Sequence, residues 1–177
     1  MKAAARQKSL RVAITGYGSP DDFTVNYYKT KGLKLEGIPF PEPGLRYSSV
    51  IGGQSDVLYE QAGDVRSFLD GKQIRPVLFF AKKRFDVYPD IPFSQALGDN
   101  VFLTQFRAVL LKAGTDPKIV ATLKAGVDKV AHSSDFAAYL KQQLGDPNSY
   151  VPFDKVGAYM KGWLDEANAL AALGAKK

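Results

Sequence analysis

The chain has 177 residues, 24 Lys plus Arg against 18 Asp plus Glu, one His and no Cys, for a formal net charge of +6. A chain of this length buries roughly 70% of its unfolded surface and needs no staple, and the lack of cysteine removes disulfides, zinc–thiolate sites and thiol nucleophiles together. Its basic residues are scattered: the densest cluster is Lys82-Lys83-Arg84, with no basic stripe interleaved with aromatics, so no nucleic-acid partner is expected.

Residues 1–9 are rich in Lys, Arg and Ala but lack an apolar core segment, so they do not read as a signal peptide. Nowhere does an apolar run reach the roughly 18 residues of a membrane span. Residues 10–15 are apolar and β-branched and predict a buried strand. Gly16-Tyr17-Gly18-Ser19-Pro20 breaks it. Ser19 is placed to cap a helix with Pro20 at its first position, and Asp21 and Asp22 suit the positive helix start. That helix is expected to end near Gly32. A second strand is predicted over 35–40, stopped by Pro41 and Pro43. A short helix follows from about Gly44, with Leu45, Ser49 and Val50 inward, ended by Gly52-Gly53. A third strand is predicted over 56–59, a helix over 62–70, and a fourth strand over 75–81, whose unbroken apolar run suggests burial on both faces. This alternation predicts a mostly parallel sheet covered by helices.

Residues 82–100 form a Pro-rich connection with one helical turn at 94–97. A fifth strand is predicted over 106–111. After it the pattern is helical. Thr115-Asp116-Pro117 starts a helix striped with Ile119, Val120, Leu123, Val127 and Val130. A second helix is predicted over 134–144, and a third over 154–173 with Val156, Tyr159, Met160, Trp163, Leu164 and Leu170 inward.

Chemistry concentrates at the strand ends. Backbone N–H groups at a helix start attract a carboxylate, and glycine lets a ligand come close, so Gly16, Tyr17, Gly18 and Ser19 are candidate ligand-binding residues, with the Thr15 and Ser19 hydroxyls as further hydrogen-bonding groups. The third glycine of a dinucleotide fingerprint is absent, that position being Asp21. Glu60 and Gln61 follow a predicted strand, where open α/β sheets bind ligands, and suit an ammonium or hydroxyl group. His132 sits at a helix end, where a cation complements the dipole, and has no nucleophile or metal-ligand set at a recognisable spacing. No catalytic residue, metal site or cofactor is expected.

Four stretches then carry a family resemblance, in order. They are Val12-Ala13-Ile14-Thr15-Gly16-Tyr17-Gly18-Ser19, Ile51-Gly52-Gly53-Gln54-Ser55-Asp56-Val57-Leu58-Tyr59, Pro89-Asp90-Ile91-Pro92 and Leu110-Leu111-Lys112-Ala113-Gly114-Thr115-Asp116-Pro117. They resemble, respectively, the loop opening the second lobe, the helix-GGQ-strand segment, the "PDVPT" connection and the "AGTP" return of the Bug-type receptors, the extracytoplasmic solute-binding proteins of tripartite tricarboxylate transporters. The resemblance implies a type II periplasmic-binding-protein-like α/β lobe with a parallel sheet over residues 1–104. It implies that 105–177 are the strand and C-terminal helices of an incomplete first lobe, whose front, with the family's Gly/Pro-rich ligand loop, has no counterpart here. It further implies a periplasmic, non-enzymatic protein that captures a small carboxylate, an amino acid or an aromatic acid and presents it to membrane permease subunits. Asp22 departs from the family, which often has His there, and an acid facing the cleft would favour a ligand with an amino group. The rival readings are a remnant or interaction module that folds but does not bind, and an enzyme on the same fold, against which stands the lack of an activated nucleophile. Two structural expectations follow: the Gly18 and Ser19 amides should point into an open cleft beside Glu60, and the 106–111 strand should lie uncovered and drive homo-oligomerisation.

Overall fold

The computed structural model describes residues 6–174; residues 1–5, the start of the expected 1–104 lobe, lie outside the described residues. Strand β1 (Leu10–Ile14) is the centre of a parallel sheet of order β2-β1-β3, with β2 (Leu35–Pro39) on one side and β3 (Val57–Leu58) on the other. Leu10 to Ile14 pair with Leu35 to Pro39 in register, and Val12 and Ala13 pair with Val57 and Leu58. Crossovers are helical: α1 (Pro20–Thr30) links β1 to β2 and α2 (Pro43–Ile51) links β2 to β3, as parallel pairing requires. The α/β class with a parallel sheet is therefore what the chain adopts.

Local signals set the helix starts. Ser19 caps α1, accepting from the Asp22 N–H at 3.4 Å, with Pro20 in the first turn. Asp116 caps α4 (Pro117–Ala131) through the Lys118 N–H at 2.7 Å, and Ser133 caps α5 (Ser134–Gln142) through the Phe136 N–H at 3.2 Å. Between them in sequence, α3 is a single short helix, Arg66–Asp70, rather than the span 62–70. The last helix, α6 (Phe153–Gly174), is the longest.

The core joins both ends of the chain. Leu10, Val12, Ile14, Val25, Tyr28, Leu33 and Leu35 pack with Val101 and Leu103, and with Ala167 and Leu170 from α6. Only the second half of α6 takes part, lying on α1. Val156, Tyr159, Met160 and Leu164, expected inward, are exposed, and so are Ile119, Leu123 and Val130 of the α4 stripe. Both helices keep their amphipathic pattern; no second layer of the described chain covers it.

Two predicted strands do not form. In 75–81, Pro76 has no N–H to give a ladder, and Phe79 turns instead to a neighbouring segment. Its N–H donates to the Pro92 carbonyl at 3.0 Å and its carbonyl accepts from Ser94 at 2.8 Å, a lone parallel bridge. Leu78 and Phe80 still pack against the core, and Phe80 stacks on Tyr59 with centroids 5.0 Å apart. Residues 106–111 are not a strand either, because no other strand lies beside them. None of the backbone groups of 105–111 makes a hydrogen bond within the described residues, and Val109 and Leu110 are 65% and 85% exposed. The exposure expected of this segment is present; the β-structure is not.

Ser94 ties the Pro-rich connection together. Its fully buried hydroxyl accepts from the Ala81 N–H at 3.0 Å and lies 3.1 Å from the Val101 carbonyl and 3.2 Å from that of Ala81. Removing it leaves a buried N–H and carbonyl without a partner, so Ser94→Ala should lower unfolding free energy by about 1–3 kcal/mol in urea denaturation; an unchanged midpoint would show that the loop holds itself without this hydroxyl.

Candidate functional site

Because the three strands are parallel, the loops that follow them, 15–19, 40–42 and 59–61, leave from one edge of the sheet. Every sequence-selected residue belongs to that edge. In the first loop Gly18 has φ +78°, a left-handed conformation that suits glycine. Tyr17 is 75% exposed, and Thr15 and Gly18 are exposed as well.

The Thr15, Gly18 and Ser19 amides of this loop are already engaged. Asp21, buried, accepts from the Thr15 N–H at 2.5 Å and from the Ser19 hydroxyl. Asp22 accepts from the Gly18 N–H at 2.9 Å. The Ser19 N–H turns to the Gly16 carbonyl at 3.4 Å, which the Ser19 hydroxyl also approaches. This differs from the expectation that the Gly18 and Ser19 amides stand open beside Glu60. The physical reason is the pair of acids in the first turn of α1. They are drawn to the positive helix start and reach back to the N–H groups that a ligand anion would otherwise use.

Glu60 is equally occupied. Its Oε2 meets Arg46 Nη2 at 2.6 Å and Nε at 3.2 Å, and its Oε1 accepts from the Gln61 N–H at 3.0 Å. Arg46 also donates from Nη1 to the Phe40 carbonyl at 2.9 Å. One buried guanidinium therefore bolts the loop after β2 to the loop after β3. Sequence reasoning missed it. Arg46 and Ser49 lie one helical turn apart and are the buried residues of α2, whereas Leu45, expected inward, is exposed.

The surroundings are aromatic. Tyr47 lies under Arg46, 5.6 Å from guanidinium carbon to ring centroid, and meets Phe68 edge-on. Burial, aided by the Glu60 charge, pushes its phenol up to about 12, and burial does the same for Tyr59. Both stay neutral at ordinary pH. At the base of β3, the Arg11 guanidinium holds the Asp56 carboxyl below its ordinary value. Gln61, the last of the selected residues, donates from Nε2 to Asp64 at 2.8 Å and lines a cleft of about 210 Å³ with Asp64, Gln105, Phe106 and Arg107. His132 ends α4, with Nδ1 2.8 Å from the Asp128 carbonyl, away from this edge in sequence and exposed. Among the described residues no group of three His, Asp or Glu side chains forms a metal-ligand set.

The fold has solved counterparts. A TctC solute-binding protein from Polaromonas, determined without ligand, matches 99% of this chain with a TM-score of 0.72 at 22% identity. A protein of R. palustris with adipate matches 98% with a TM-score of 0.81 at 18% identity. MatC of Rhodopseudomonas palustris with bound malate matches 93% with a TM-score of 0.65 at 22% identity. The chain spans 60%, 59% and 56% of the lengths of those three chains. No protein-family model matches the chain, and no curated protein does. The chain shares the fold of this TctC solute-binding protein and of the two other matched structures. Among the described residues no helix is long and apolar enough to cross a membrane.

The Arg46–Glu60 pair is open to a decisive test. Arg46→Met leaves a buried carboxylate uncompensated and should cost about 3–5 kcal/mol. Adding Glu60→Met should recover most of that loss, as measured by urea midpoints around the double-mutant cycle. Additive losses would mean that the two side chains stabilise the edge independently.

Proposed function

We propose that this chain is the ligand-contacting lobe and tail of an extracytoplasmic receptor. It captures a small carboxylate in the periplasm and hands it to the permease subunits of a tripartite tricarboxylate transporter, without catalysing a reaction. The observation that carries this reading is the common edge. Three parallel strands deliver three loops to one place, in a fold whose solved counterparts include proteins with adipate and malate. In this reading Thr15, Gly16, Tyr17, Gly18, Ser19, Asp22, Glu60 and Gln61 form the ligand-facing set, and 1–104 and 105–177 are parts of two different lobes. Asp22 on the Gly18 amide refines the ligand. A bare carboxylate would have to displace Asp22, whereas a hydroxyl or ammonium group meets it favourably. The ligand is therefore a carboxylate that also carries a donor, an amino acid or a hydroxy acid.

Affinity in a two-lobed receptor comes from desolvating the ligand between both lobes. A chain spanning about 60% of its counterparts leaves the ligand partly in water, where each polar contact competes with solvent and adds little. Calorimetry against dicarboxylates, amino acids and aromatic acids should give weak, millimolar binding confined to carboxylates. Submicromolar affinity would sink the half-cleft argument, and indifference to every carboxylate would sink the receptor reading.

We also assign self-association to the 106–111 segment. Covering exposed apolar surface is worth roughly 25 cal/mol per Å², and unpaired backbone adds to the drive. Light scattering should show mass rising with concentration. A monomer at every concentration would overturn the assignment.

A further inference from the structure

The three loops at the sheet edge contain no lysine or arginine: they read Thr15-Gly16-Tyr17-Gly18-Ser19, Phe40-Pro41-Glu42 and Tyr59-Glu60-Gln61. The Thr15 and Gly18 amides are held by Asp21 and Asp22, and Arg46 is consumed by Glu60 and the Phe40 carbonyl. A carboxylate reaching this edge meets several carboxylates and no open cationic side chain from these loops. Its counter-charge must come from elsewhere.

The cleft beside Gln61 supplies one. Arg107 forms one of its walls, with a side chain 67% exposed and its nearest ion-pair contact 3.9 Å away at Asp64 Oδ1. That separation is beyond hydrogen-bonding reach, and an exposed pair this loose costs little to open. The Arg107 guanidinium makes no hydrogen bond among the described residues, so its planar fork is available for a two-point pairing with a carboxylate. Gln61 and Asp64 face the same space, joined by the 2.8 Å bond from Gln61 Nε2 to Asp64 Oδ2. Phe106 forms the apolar wall, held edge-on to Trp163 with centroids 5.5 Å apart. The place is a seam as well. Arg66 donates to the Gln142 carbonyl at 2.6 Å, and a side chain on Gly63 would collide with the backbone of Gln143, so the loop after β3 is pressed against the end of α5.

We propose that this cleft is a ligand subsite in which Arg107 anchors a carboxylate while Asp64 takes a hydroxyl or ammonium group on the adjacent carbon. Phe106 covers the carbon chain, and the Gln61 amide donates the remaining hydrogen bond. The ligand class is the small 2-hydroxy or 2-amino acid. A carboxylate without the neighbouring donor leaves Asp64 facing it and binds less well. This proposal rests on the carboxylate-receptor reading and adds the cation that the loops at the sheet edge lack.

The test uses the whole chain and two probes, malate with a 2-hydroxyl group and adipate without one. Spectra of ¹H–¹⁵N pairs, including arginine Nε–H and side-chain amides, follow each titration. Malate should shift the Arg107 Nε–H and Gln61 Nε2 signals in the millimolar range, and adipate should require roughly tenfold more, the worth of one hydrogen bond to a charged group. Arg107→Gln should weaken malate binding by roughly tenfold or more, with Arg107→Lys retaining part of it. Arg107 is exposed, so unchanged amide positions elsewhere verify that the variants fold. Malate binding equally well to Arg107→Gln, or adipate matching malate, overturns the proposal. Static Arg107 and Gln61 signals with moving Gly16 to Ser19 amides overturn it while leaving the receptor reading intact; no movement at either place overturns both.

Discussion

β1 is paired on both sides, and both neighbours run parallel to it. Parallel pairing forbids tight hairpins, so a crossover must separate one strand from the next, and here each crossover carries a helix. The same constraint sends every strand's C-terminal end to one edge of the sheet. The three loops, the cap of α1 and the inward face of α2 all take their places from it. The sheet is small, and β3 contributes two residues. Its hold on β1 is reinforced by side chains: Arg11 Nη2 donates to the Gly53 carbonyl at 2.7 Å, and Asp56 accepts from the Arg11 backbone N–H at 2.9 Å. A salt bridge at the base of the strand compensates for a ladder too short to set its own register.

At the opposite end the chain neutralises itself. A helix start and a buried arginine are the two groups on this edge that would attract an anion, and each already has an internal carboxylate. The two cases differ energetically. Asp22 and Gly18 are exposed or half-exposed, where water competes for their contact and a ligand donor can meet Asp22 without stranding a charge. Arg46 and Glu60 have side chains only 7% and 10% exposed, and separating them would strand a charge in a medium that solvates it poorly. The first contact is open to a ligand donor and the second is not. Arg46 therefore positions loops, and the exchangeable chemistry of the edge lies at Asp22 and along the cleft next to Gln61.

What the sequence made legible was local. Ser19-Pro20 and Asp116-Pro117 mark helix starts because a cap and a fixed proline φ act within one turn, and both helices begin there. The first and third strands, expected over 10–15 and 56–59, end one residue earlier, at Ile14 and Leu58, so the candidate loops were placed to within a residue. Pairing was not legible. An apolar run such as 75–81 carries no information about which segment will lie beside it, and Phe79 found the 92–94 segment instead of the sheet. Inwardness failed likewise on α4 and on the first half of α6, since periodicity shows that a helix has an apolar face but not that anything covers it. Arg46 escaped notice because burial of an arginine is decided by its partner, and Glu60 lies 14 residues further on. Asp22 was noticed, but its reach back to Gly18 depends on the loop's left-handed turn, which emerges only in three dimensions.

The C-terminal helix reaches further into this chemistry than its position in the chain suggests. Trp163 donates its indole N–H to the Thr104 carbonyl at 3.0 Å, and Glu166 accepts from the Phe102 N–H at 2.6 Å. Phe106 is then fixed edge-on against Trp163 and Tyr159. These contacts flank and hold a stretch whose backbone, from 105 to 111, has no hydrogen bonds among the described residues. Arg107 follows Phe106 directly, so its approach to the cleft is set by α6 rather than by the sheet. The half of α6 that is buried does this by packing Ala167 and Leu170 into the core with α1. A single helix thus closes the hydrophobic core at one end and, through Phe106, places beside the cleft an arginine otherwise held only by its loose contact with Asp64, which couples the stability of the core to the geometry of the polar cleft.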